Sequence, residues 1–157
     1  MANGAGPMRI KLLKHYWTVV RRPLRVHDGT CDPLKRRDRT HARGREIVID
    51  SGLHGVKELE ITCHELMHGC AWEVLAEDVV ERCSRKFADT AWRFGCRRHS
   101  CRATDRHGLK DLEHLLCYGL GGYVWKVAGD DWVKNSSRDI VRALYRLGWR
   151  FEKTHGQ

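Results

Sequence analysis

The chain has 157 residues, 41% of them hydrophobic, enough to bury the core of one modest domain or two small ones. No run approaches the ~18 consecutive apolar residues of a membrane span, so no membrane partner is expected. The formal charge of +9 gathers at Arg21 and Arg22, at Lys35, Arg36, Arg37 and Arg39, and at Arg97, Arg98, Arg102 and Arg106. Such clusters suit an acidic or nucleic-acid partner docked through basic loops, but no aromatic residues interleave them, and they read as solvated loops.

In chain order, residues 1–8 read as a disordered N-terminus without the basic start and apolar stretch of a signal peptide, so a cytoplasmic protein is expected. Seven cysteines, an odd number outside a secretory context, point to reduced thiols. Lys14 to Arg21, rich in aromatic and β-branched residues and stopped by Pro23, predicts a strand. Val26 to Pro33 is turn-rich, with room for a short strand, and residues 35–45 form a basic loop. Glu46 to Asp50 alternates and predicts a second strand, closed by Ser51 and Gly52. A helix follows from about Val56 to Trp72, with Leu59, Cys63, Leu66, Met67 and Cys70 on its apolar side. A second helix starts near Asp78 and runs through Val79, Val80, Cys83, Phe87, Ala88 and Trp92 to Gly95.

The first helix carries His64, Glu65 and His68. Residues four apart share a helix face, so the two imidazoles can hold one metal ion, while Glu65 on the flank can take a proton from water. This is the His-Glu-x-x-His pattern of zinc peptidases, which predicts Zn2+ as cofactor and Glu65 as general base. A catalytic zinc needs a third protein ligand and one open position. Glu81 and Glu77, one turn apart on the second helix, are the candidates. A plainer reading of Glu81 exists, because Asp78 and Glu81 have capping-box spacing.

The segment Glu81-Arg-Cys-Ser84-Arg-Lys-Phe87-Ala88 resembles the E-x-x-A-x-x-F-A signature of the ImmA/IrrE-type metallopeptidases, with Ser84 in place of the alanine. The strand-strand-helix order before it is similar to that of SprT-like and other small phage-borne zincins. The resemblance covers roughly residues 14–95 and implies Glu81 as third ligand, with a protein or peptide as substrate. It also implies a phage or bacterial enzyme acting inside a cell, and the SprT-like likeness implies work near nucleic acid.

The last third repeats the metal segment. A shift of 53 residues lays Gly55 to Glu60 on Gly108 to Glu113, Trp72 on Trp125, Asp78 on Asp131, Ser84 and Arg85 on Ser137 and Arg138, and Gly95 on Gly148; residues 55–97 match at 14 of 43 positions. His64, Glu65, His68 and Glu81 become Cys117, Tyr118, Gly121 and Lys134, while Glu77 and Asp78 are kept as the acids Asp130 and Asp131. Loss of Glu81 together with the histidines favours Glu81 as ligand and leaves Glu77 as a helix-start acid stabilised by the dipole. The second copy, helices 109–127 and 131–147, reads as a degenerate scaffold. Residues 96–107 read as a basic linker; Cys96, His99, Cys101 and His107 in it match no common zinc knuckle.

The expected fold is therefore α+β: a zincin-like unit (9–95) of a small antiparallel sheet and two helices, with Glu46 to Asp50 as the edge that pairs with substrate. The linker and the degenerate hairpin (108–150) follow, and residues 151–157 form a tail.

Overall fold

The computed structural model describes residues 6–32, 45–71, 75–99 and 108–151, and these carry a mixed α+β fold of five helices and six strands. Strands β1 (Met8–Leu12) and β2 (His15–Arg22) form an antiparallel hairpin. Ile10, Leu12, Trp17 and Val19 are buried, while Arg9, Lys11 and Tyr16 are exposed, the period-2 pattern of a sheet with one covered face. β1 is unexpected, and it starts at Met8, inside the stretch read as disordered; residues 1–5 lie outside the described residues. The alternation Met8-Arg9-Ile10-Lys11-Leu12 carries its signal.

The short strand foreseen in the turn-rich stretch is β3 (Gly29–Asp32), and β4 spans Arg45–Asp50. The sheet order is β1-β2-β4-β3, with β2 and β4 parallel and the other two pairs antiparallel. Two expectations change here: the sheet is mixed rather than antiparallel, and β4 lies inside it rather than at its edge. Ile47, Val48 and Ile49 are all buried, and three consecutive buried residues mark a strand covered on both faces. β3 takes the edge. Of the basic loop expected over 35–45, residues 35–44 lie outside the described residues and Arg45 is instead the first residue of β4.

Helices α1 (Gly55–Ala71) and α2 (Glu77–Arg93) form a hairpin. Leu59, Cys63, Leu66, Met67 and Cys70 of α1 are buried against the sheet and against Val80, Phe87 and Ala88 of α2. Removing one side chain of the size of Phe87 from water contributes about 1.5–3 kcal/mol. The second half brings α3 (Leu109–Gly119), α4 (Gly121–Ala128) and α5 (Asp130–Arg146). The single helix expected over 109–127 is thus divided at Leu120, between two glycines that favour neither helix equally well. Leu112, Leu116, Val133, Ile140, Leu144 and Trp149 join the same buried cluster as the first half. Trp132 Nε1 donates to the Cys70 carbonyl at 3.2 Å and Cys83 Sγ to the Leu120 carbonyl at 3.5 Å, tying the halves across that core.

Element boundaries follow the 53-residue shift. α2 and α5 correspond end to end, as do β5 (Cys96–Arg98) and β6 (Trp149–Phe151). Gly95 and Gly148, one residue before these strands, both have positive φ, +92° and +102°. β5 pairs antiparallel with β6, so the first residues of the stretch read as a linker are a strand, and so is Phe151, read as tail. In that ladder Arg97 faces Arg150, its own counterpart in the repeat, and the two segments meet with local twofold symmetry. No described helix is long and apolar enough to cross a membrane.

Candidate metal centre

α1 begins at Gly55, and its apolar residues fix its rotation against the sheet. That rotation leaves Ile61, His64, Glu65 and His68 on a neighbouring strip, facing β3 and the start of α2. His64 and His68 stack edge to face, their ring centroids 4.7 Å apart and their Nε2 atoms 3.1 Å apart. The first residue of α2 reaches both. Glu77 Oε1 lies 2.8 Å from His64 Nε2 and Glu77 Oε2 lies 2.7 Å from His68 Nε2.

Glu81 does not join them. Its carboxylate accepts a 2.9 Å hydrogen bond from Arg85 Nη2 on the exposed side of α2, and Arg85 Nε reaches Glu60 at 3.4 Å. The capping-box reading of Glu81 also falls away, because the helix starts at Glu77 with Ala76 as its N-cap and no side-chain cap bond. Of the two candidate third ligands, the alternate one, Glu77, is the residue brought to the histidines.

The three side chains fit a metal ion by donor type and by spacing. Two imidazole nitrogens and a carboxylate oxygen lie within 4.8 Å of one another. A tetrahedral zinc site with bonds near 2.0–2.1 Å holds its ligand atoms about 3.3 Å apart, so a few tenths of an ångström of spreading suffices. Among the described residues no other such group of His, Cys, Asp and Glu donors comes together. Burial lowers the His68 pKa, opposed by the neighbouring Glu77 charge, which favours the neutral imidazole that a metal requires. The histidines are mostly covered while the Glu77 side chain is 66% exposed, so the group opens to solvent on the Glu77 side.

Glu65 sits beside the group and is 6% exposed. Burial, with a smaller push from the Glu77 charge, raises its carboxyl from 4.5 to about 7. The edge strand makes room for it. A Cβ built on Gly29 would meet Glu65 Cγ and Ile61 Cγ2 at 2.9 Å and Glu65 Oε1 at 3.2 Å, so only glycine lets β3 approach this closely. Nothing in the sequence singles out Gly29 except its place after Asp28 in the turn-rich stretch.

Glu58, about two turns before Glu65 on α1, is buried, and its Oε1 lies 2.6 Å from both Arg21 Nη1 of β2 and Arg98 Nε of β5. Two arginines read as parts of solvated basic loops are therefore an internal clamp on α1. Burial lowers the Arg21 pKa and Glu58 offsets part of it. Arg97 lies over the Trp92 ring at 3.6 Å and donates to the Trp92 carbonyl. Tyr118, the counterpart of Glu65 in the repeat, is exposed and stacks on His114 at 4.4 Å. Cys96 is buried, with its thiol pushed up to about 12, while Cys101 and His107 lie outside the described residues. The six described cysteines are free thiols.

Comparison with protein-family models, with curated proteins and with solved structures finds no match for this chain.

Proposed function

We propose that the chain is a zinc-dependent peptidase of the zincin type, similar to the ImmA/IrrE-type and SprT-like enzymes, with His64, His68 and Glu77 as metal ligands. The observation that carries this reading is the meeting of those three donors beside a buried, proton-accepting Glu65. A purely structural site needs no such acid. When bound, zinc lowers the pKa of a water toward roughly 7 and polarises a carbonyl.

Glu65 supplies the proton transfers. Beside the metal it accepts a proton from water during attack on the peptide carbonyl and passes it to the leaving amine. Its shielding by β3 strengthens both transfers, since few waters compete for the carboxylate. The substrate is an extended peptide. β3 is the sheet edge beside Glu65, and its outer backbone groups pair with no other strand among the described residues, so it takes the substrate-pairing role first assigned to β4.

Elemental analysis and casein cleavage on wild type, Glu65→Gln, Glu77→Gln and Glu81→Gln test the reading. One zinc per chain, kept in Glu65→Gln and Glu81→Gln and lost in Glu77→Gln, is expected, with cleavage abolished in Glu65→Gln and Glu77→Gln. A wild type that takes up no zinc on reconstitution, or a Glu65→Gln variant that still cleaves, overturns it.

A further inference from the structure

The sheet edge opposite β3 carries a second polar surface. With the order β1-β2-β4-β3, β1 lies three strand spacings from β3, about 14 Å. Lys11 pairs in register with Tyr16 and Arg9 with Thr18, and cross-strand partners point to the same side, so Arg9, Lys11 and Tyr16 share the outer face. The Arg9 guanidinium lies 4.4 Å and the Lys11 ammonium 5.9 Å from the centroid of the Tyr16 ring. Arg146, from the last turn of α5, completes an open depression of about 330 Å³ lined by Arg9, Ile10, Lys11, Tyr16 and Arg146.

Among the described residues these charges have no carboxylate partner. Arg9, Lys11 and Arg146 are all exposed, and the Arg146 guanidinium reaches the Met8 sulfur at 3.9 Å. Arg22, farther along the same face of β2, is by contrast paired with Glu46 at 3.0 Å. Tyr16 is 53% exposed, a large ring left in water between cations. Three exposed cations around a half-exposed ring suit a ligand that offers both regularly spaced anions and flat apolar faces.

We propose that this surface binds single-stranded nucleic acid, with Arg9, Lys11 and Arg146 on consecutive phosphates and a base stacked on the open side of Tyr16. An acidic peptide or a polyphosphate offers anions without faces, and a duplex keeps its base faces stacked away. Arg9 and Lys11, two residues apart on one strand, stand about 6.8 Å from each other, a spacing that follows an extended sugar-phosphate backbone. Base stacking on an aromatic side chain beside arginine is tolerant of sequence, so the preference is for strandedness rather than for a base order. The surface differs from the basic loops singled out in the sequence, and it does not depend on the metal centre.

Fluorescence anisotropy with a labelled twelve-nucleotide deoxythymidine strand tests it, using the full chain at low and moderate salt. Binding that weakens with salt is expected. In Arg9→Gln/Lys11→Gln/Arg146→Gln the log-log salt slope should fall by about 2, and Tyr16→Ala should weaken binding about tenfold. A control that removes three exposed cations elsewhere, Lys110→Gln/Lys134→Gln/Arg142→Gln, should leave the affinity within about twofold. Unchanged thermal melting and zinc content in every variant separate loss of the surface from loss of the fold. Absence of binding at low salt, an equal loss in the control, equal affinity for duplex or polyphosphate, or an unaffected Tyr16→Ala each overturns the assignment.

Discussion

Glu77 Oε2 lies 2.7 Å from His68 Nε2, across the junction where the end of α1 meets the start of α2. One carboxylate, held at the first position of its helix, closes a triangle with two imidazoles from the other. Four consequences can be measured.

The proposed ligand set predicts that Glu77→Gln weakens zinc binding by a hundredfold or more, read by competition with a chromophoric chelator. Glu81→Gln, whose partner is Arg85 on an exposed flank, should change affinity less than twofold. The reverse ranking would return the third ligand to Glu81.

Glu65 predicts a pH dependence of the metal-free protein. Its carboxyl is raised from 4.5 to about 7, so protonation favours the folded state. The stability it contributes is complete below pH 4.5 and is lost as pH rises through about 7. Relative to Glu65→Gln, the wild type should lose about 3 kcal/mol between pH 4.5 and 7.5 in chelator-treated urea titrations. The difference between the two curves isolates Glu65 from His68, whose lowered pKa acts in the opposite direction.

Close approach at Gly29 predicts that Gly29→Ala keeps its zinc and loses at least tenfold in casein cleavage, because the new methyl displaces Glu65 and Ile61. The accompanying loss of stability should be about 1–3 kcal/mol, typical of overpacking. Normal turnover with a normal melting temperature would mean that β3 yields instead.

The clamp on Glu58 predicts that Glu58→Ala destabilises by about 3 kcal/mol, since Arg21 and Arg98 are left facing each other without a counter-charge. Adding Arg21→Met should recover part of that loss in thermal melts. An additive double variant would show that the pair is not coupled.

Much of this architecture is legible in the residue pattern. The apolar spacing of α1 and α2 places both helices to within about two residues, β2 and β4 follow from their β-branched runs, and the repeat predicts a second hairpin of the same length. β3 and β5 were harder, because strands of four and three residues carry too little alternation to stand apart from loops. The repeat also misled. Asp130 preserves the acid of Glu77, and that retention favoured a helix-start role for Glu77, yet a first-turn acid can stabilise its helix and reach another group at once. Its survival in the copy discriminates nothing.

The sequence by itself determined the helices, the shared face of His64 and His68 and the place of Glu65 beside them, because each depends on a period of 3.6 residues within one segment. Only the tertiary structure brought Glu77 rather than Glu81 to the histidines, put β4 inside the sheet with β3 at the edge, and turned Arg21 and Arg98 inward onto Glu58. Glu77 and Glu81 are four residues apart and lie on the same side of α2, so periodicity cannot separate them. The offset of α2 along α1 does so, and that offset is set by how the buried side chains of two helices and a sheet pack together.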